Sequence, residues 1–269
     1  MERTPILEIK GATKIFNPGT VNAKCALDHL NLTINDGDFI TVIGGNGAGK
    51  STLMNAITGV FQLDEGTVTL DGNCLNGMPE HKRASFFGRV FQDPMTGTAA
   101  DMQIDENLAL AKRRGKRHGL SWGVTNAERE EYYELLKVLD LGLEERLTSK
   151  VGLLSGGQRQ AITLLMATLI KPKVLLLDEH TAALDPKTAA KVLEITDRIV
   201  KENSLTTLMI THNMKDAIKH GNRLIMLHAG RVIIDVSGEE KEKLTVEELL
   251  GMFTRASGDE FSSDRAILS

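Results

Sequence analysis

Residues Gly44-Gly45-Asn46-Gly47-Ala48-Gly49-Lys50-Ser51 have the spacing G-x-x-x-x-G-K-[S/T]. Glycines lack a Cβ, so successive backbone N–H groups can turn inward around a phosphate. A helix starting at Lys50 would add the positive end of its dipole. Lys50 can then reach the β- and γ-phosphates of a nucleoside triphosphate, and the Ser51 hydroxyl can ligate Mg²⁺. The plainer alternative is a Gly-rich turn with an exposed lysine. The apolar run Phe39–Ile43 before the loop and the helix-like stretch after it favour phosphate binding. A second run, Val174-Leu175-Leu176-Leu177, ends in Asp178 and Glu179. Asp178 would hold Mg²⁺, directly or through water, and Glu179 can orient or deprotonate an attacking water. Alone this run reads as a strand ending in an acidic turn. Paired with the phosphate loop it points to phosphoryl-group hydrolysis.

Strands and helices must place these groups. Leu7–Lys10 and Leu30–Ile34 alternate apolar and polar residues, and Thr67–Leu70 forms another short strand. Phe39–Ile43 is mostly apolar, as in a strand buried on both faces. Helical spacing marks 103–112 and 127–139, separated by a polar stretch. Strand and helix then alternate: strands at 174–177, 206–210, 223–228 and 231–236, helices at 187–201 and 214–220, and a last helix over 244–253. Such alternation implies a parallel sheet with helices on both sides, interrupted by a helical insert.

The 269 residues give room for one or two domains. A net charge of −4 argues against a general nucleic-acid coat, so no nucleic-acid partner is expected. Cys25 and Cys74 have no zinc-site spacing and suit a reducing cytoplasm. The longest stretch without Lys, Arg, Asp or Glu is 13 residues, against about 20 for a membrane span. No secretory signal is read at the N-terminus, and any membrane role is expected to come through a partner.

Leu154-Ser155-Gly156-Gly157-Gln158 resembles the signature of ATP-binding cassette (ABC) ATPases. Other pieces resemble that family in order: Gln92 its lid glutamine, Ala183-Leu184-Asp185 its D-loop, His212 its switch histidine, and Phe16 the aromatic that stacks on adenine. The resemblance covers roughly residues 6 to 240. It implies an α/β P-loop NTPase core with a mainly parallel sheet, an N-terminal antiparallel β subdomain and an inserted α-helical subdomain at about 93–160. One cassette would span 1–253, with 254–269 a mobile tail. It implies ATP and Mg²⁺ as ligands, with Ser51, Gln92 and Asp178 at the metal and Glu179, His212 and Gln92 catalytic. The phosphate loop through Thr52, with Ser155–Gln158 and Asp185 from a second copy in a head-to-tail homodimer, would complete the nucleotide site.

Two readings of what the hydrolysis drives compete. Repair and chromosome members place long coiled coils between the lid glutamine and the signature; here Gln92 and Leu154 are 62 residues apart with no sustained heptads. Translation members usually carry two cassettes. The compact insert resembles the transporter pattern, which implies integral-membrane permease subunits, a substrate-binding protein and a place on the cytoplasmic face of the membrane. Asn46–Thr52 looks closest to amino-acid importers, especially the branched-chain type. The segment 178–185 resembles a group paired with lipoprotein-like binding proteins, for aromatic amino acids. A soluble, export or lipoprotein-release ATPase is the alternative.

Two features depart from the family or lie outside it. Many relatives carry Pro after the catalytic Glu and Ser two positions later, where this chain has His180 and Ala182. His180 is read either as an extra polar contact near the phosphates or, in preference, as a tolerated surface variant. Lys112–Arg117 holds five cations in six residues, read as facing anionic lipid or, in preference, as a solvated loop.

Overall fold

The computed structural model describes residues 4–115 and 123–257. Residues 4–83 with 204–257 form one compact unit, and the described residues from 84 to 203 form another.

The first unit begins with β1 (Pro5–Phe16), β2 (Lys24–Asn35), β3 (Phe39–Ile43), α1 (Lys50–Thr58), β4 (Glu65–Leu70), β5 (Asn73–Cys74) and α2 (Glu80–Arg83). Strands β2-β1-β4-β5 make an antiparallel sheet. Strand β1 is much longer than its alternating core, 7–10. Its register with β2 slips between Ile9 and Ala12, and Gly11 there has φ 59°. A left-handed Gly absorbs the bulge, so pairing resumes beyond the point where alternation stops.

The second unit contains β6 (Phe87–Val90), α3 (Ile104–Lys112), α4 (Asn126–Lys137), α5 (Gly156–Thr168), β7 (Val174–Asp178) and α6 (Pro186–Glu202). Strands β6 and β7 run parallel, with Val90 opposite Leu177. Only four residues long and interrupted by Gly88 and Arg89, β6 gives no periodic signal in the sequence. Helix α6 buries Val192, Ile195, Thr196 and Ile199, the spacing of one helical face.

The chain then returns to the first unit with β8 (Thr207–Ile210), α7 (Met214–Lys219), β9 (Arg223–His228), β10 (Arg231–Ser237), α8 (Glu239–Glu242) and α9 (Val246–Ser257). Here the strand order is β10-β9-β3-β8; β3 is parallel to β8 and β9, and β10 is antiparallel to β9. Every residue of β3 is buried, as its apolar sequence requires. Helix α9 seals this core by placing Leu249 and Phe253 against Met214, Met226 and Ile234. Each such side chain contributes about 1.5–3 kcal/mol when fully buried. The helix runs on through Ser257, so 254–257 are helical where the sequence reading begins a mobile tail. Residues 258–269 of that tail lie outside the described residues.

Candidate functional site

The predicted site residues fall on both units: some follow the C-terminal ends of parallel strands, others sit at helix starts or, like Phe16, at the end of an antiparallel strand.

In the first unit, β3 feeds residues 44–49 and α1 starts at Lys50. Gly44, Gly47 and Gly49 have φ of 154°, 78° and 105°. A Cβ on Gly44 would lie 2.3 Å from the Leu227 carbonyl oxygen, and one on Gly49 would lie 2.5 Å from that of Ala26. Only glycine fits this cradle. No side chain caps the start of α1, which suits its N–H groups to an anionic ligand. Gly45 and Ala48 are buried, whereas Asn46, Gly47 and Ser51 are exposed and Thr52 is half-buried. The Lys50 ammonium donates to the carbonyls of Gly44 at 2.7 Å and Gly45 at 3.2 Å, so it lies across the loop. The β9–β10 turn props the loop from behind: the Gly230 N–H donates to the Ala48 carbonyl at 3.0 Å. Nothing local in the sequence marks that turn as part of the site.

His212 leaves the end of β8, next to β3, whose Val42 carbonyl accepts from the Thr211 N–H at 3.1 Å. The structure therefore brings His212, which is exposed, to the same sheet edge as the phosphate loop. Phe16 closes β1 with 37% of its surface exposed. Its ring stands edge-on to Phe61 at 5.5 Å, a partner the sequence reading missed. The Lys14 ammonium lies 5.8 Å from the Phe16 ring and 5.4 Å from the Phe61 ring. Asp64 fixes this platform: it accepts from the Ile15 N–H at 2.6 Å and the Lys14 ammonium at 2.9 Å. Those two bonds, the backbone one foremost, hold its carboxyl below the usual range.

In the second unit, the parallel register places Gln92 and Glu179 each two residues beyond a paired position, at one edge. Asp178 and Glu179 are half-buried and Gln92 is exposed. Arg89 of β6 pairs with Asp178 at 3.2 Å, each side chain 15% exposed. The same guanidinium lies 4.6 Å from the Phe91 ring, beside Gln92. This link between the acidic strand and the glutamine loop is absent from the sequence reading. Gln92 and Asp178 in this unit, and Ser51 in the first, each offer oxygen donors, the ligand type that suits Mg²⁺.

Ser155 caps α5. Its hydroxyl accepts from the Gln158 N–H at 3.3 Å, and the Gln158 side chain accepts from the Ser155 N–H at 3.2 Å. A Cβ on Gly157 would lie 2.1 Å from the Thr188 methyl, and one on Gly156 would lie 3.1 Å from Leu184. The two glycines thus let the signature sit against Ala183–Asp185, and Asp185 caps α6 by accepting from the Thr188 N–H at 3.1 Å. Arg159, another residue the sequence reading missed, donates to the carbonyls of Val151, Gly152 and Leu154 and braces the turn ahead of Ser155.

This order of elements and motifs can be compared with known proteins. The family model described as ABC transporter matches residues 27–182. The chain belongs to the ABC transporter family. It is 47% identical over 251 residues to a tyrosine transport ATP-binding protein of Clostridioides difficile, covering 93% of this chain and 100% of that one. It is 33% identical over 241 residues to a spermidine/putrescine import ATP-binding protein of Haemophilus influenzae, covering 89% of this chain and 60% of that one. A dimeric ATP-binding cassette solved in a post-hydrolysis state with ADP and phosphate shares 29% identity at a TM-score of 0.73, covering 86% of this chain and 98% of that chain. The cassette is an ATP-binding, ATP-hydrolysing transporter subunit with the P-loop NTPase fold. Among its described residues no helix is long and apolar enough to cross a membrane.

Two sequence expectations are corrected in the cassette. His180 is not a surface variant: it is 2% exposed, and its Nε2 lies 3.1 Å from the Thr196 hydroxyl. The start of the basic segment is not simply solvated. Lys112 pairs with Glu131, Arg113 donates to the Gly123 carbonyl, and Arg114 donates to the Ile170 carbonyl at 2.9 Å. Burial lowers the pKa of Arg114 from its ordinary value. Lys116 and Arg117 lie outside the described residues.

Proposed function

We propose that this chain powers bacterial import of an aromatic amino acid, tyrosine or a close analogue. It would work as a homodimer on the cytoplasmic face of the cell membrane, beneath a permease served by a substrate-binding protein. One observation carries the choice of solute: the 47% identity spans the full length of a tyrosine transport ATP-binding protein.

The proposed chemistry assigns a task to each named residue within one cassette spanning 1–253, its helical subdomain at about 93–160. Backbone N–H groups of residues 44–51 and the Lys50 ammonium bind the phosphates, and Phe16 lies against the adenine. Ser51, Asp178 and Gln92 hold Mg²⁺, which when bound neutralises charge on the phosphates. Glu179 accepts the proton of the attacking water, Gln92 orients that water, and His212 holds the γ-phosphate by a hydrogen bond. The exposed Ser155 and Gly156, with Gly157 and Gln158, offer a capped helix start to the phosphate loop of the second copy. Asp185 lies at the dimer interface.

Lys50→Ala tests the reading in two arms. Binding of a fluorescent ATP analogue to the purified chain is expected to weaken at least about tenfold, since a charged hydrogen bond contributes about 1.5–3 kcal/mol. In a host strain carrying the substitution, uptake of labelled tyrosine should fall while spermidine uptake is unchanged. Undiminished nucleotide affinity would overturn the site; loss of spermidine uptake alone would overturn the solute.

A further inference from the structure

We propose that His180 is a positioning residue, tethering the turn that carries Glu179 to the middle of α6 through Thr196. The proposal rests on the reading of Glu179 as the group that accepts the water's proton.

Glu179 has φ 46°, in the left-handed region. For a residue other than glycine this conformation is strained and persists only where the surroundings hold it. Backbone bonds within the turn close it, from the Ala182 N–H to the Glu179 carbonyl at 3.0 Å and from the Leu184 N–H to the Thr181 carbonyl at 3.1 Å. Asp185 anchors the far end of the turn by capping α6. His180 ties down the near end, next to Glu179. Its ring is buried and reaches 16 residues along the chain to Thr196, itself fully buried on α6. The Thr196 hydroxyl has one hydrogen and gives it to the Val192 carbonyl at 2.8 Å. With that hydrogen on Val192, the oxygen is an acceptor for His180, the arrangement in which the ring carries its proton on Nε2. Many relatives have proline at this position, whose ring fixes φ near −65°. Histidine has no such ring, and a buried hydrogen bond to a rigid helix supplies the constraint from outside the turn.

Two substitutions at Thr196 separate positioning from simple packing. Thr196→Val keeps the volume and removes the acceptor. Its kcat should fall about tenfold to a hundredfold, the scale of a misplaced catalytic group, with the dissociation constant for ATP within about twofold of wild type. Thr196→Ser restores the acceptor and should restore kcat. In a Glu179→Gln background Thr196→Val should add no further loss. Nitrogen-15 NMR of the histidine rings should show His180 protonated at Nε2, and this measurement on the wild-type chain stands even if Thr196→Val fails to fold. Wild-type kcat in Thr196→Val, or a His180 ring without a proton on Nε2, overturns the proposal. If Glu179→Gln itself hydrolyses ATP at the wild-type rate, the reading of Glu179 falls and the proposal with it. If Glu179→Gln is inactive while Thr196→Val is fully active, the proposal falls alone.

Discussion

Glu179, the proposed proton acceptor, carries a backbone strain that glycine would not. Its backbone sits at φ 46°, where a Cβ is disfavoured, directly after the buried strand β7. Glycine at this position would remove the strain of about 1–3 kcal/mol and add back about 0.5–1 kcal/mol of chain entropy. Glu179→Gly is therefore expected to raise stability to urea by about 1 kcal/mol while abolishing ATP hydrolysis. A lower urea midpoint would mean that the Glu side chain contributes more by its contacts than the backbone strain costs.

At the scale of elements, the functional segments coincide with helix starts. Lys50 opens α1, Ser155 caps α5, and Asp185 caps α6. Away from the site, α4 and α9 start on the same capping logic. Glu128 accepts from the Thr125 N–H at 2.9 Å, and Glu248 accepts from the Thr245 N–H at 2.8 Å. The backbone bond foremost, aided by the threonine hydroxyl, holds each carboxyl below its ordinary value. A carboxyl whose folded pKa is lowered contributes stability above its unfolded value and loses it as pH falls through the folded value. Stability should thus be flat near neutrality and decline below about pH 4. Replacing both residues by glutamine is expected to shrink that acid loss, measured as urea midpoints at pH 7 and pH 3. An unchanged acid loss would place the effect elsewhere.

At the scale of the whole molecule, the proposed shared nucleotide site makes predictions that a self-contained monomer would not. Glu179→Gln should bind ATP without turnover and elute as a dimer in size-exclusion chromatography with Mg-ATP. A monomer under those conditions would argue against closure driven by ATP. Ser155→Arg should leave ATP binding to the isolated chain nearly intact, because Lys50 and Ser51 are untouched, yet block hydrolysis by filling the space for the partner's γ-phosphate. Mixing Lys50→Ala chains with Ser155→Arg chains creates one doubly altered site and one intact site. Some hydrolysis should return on mixing, and full activity of Ser155→Arg alone would refute the shared site.

The sequence by itself determined the parts whose physics is local. The phosphate loop is legible because Gly44, Gly47, Gly49, Lys50 and Ser51 act through consecutive backbone atoms, and β3 and β7 because unbroken apolar runs need burial on both faces. Ser155 and Gln158 are legible through their resemblance to the family signature, and the structure adds that they close a capping box within four residues. Only the tertiary structure decided the rest. Arg89 meets Asp178 across 89 positions, and Phe61 meets Phe16 across two strands and a helix. Gly230 supports a loop nearly two hundred residues earlier in the chain. His180 looked like a surface variant until α6 folded over it, and Arg114 like a free cation until it met the carbonyls ending α5. Such contacts join residues that no spacing rule relates, so their chemistry exists only once the chain has folded.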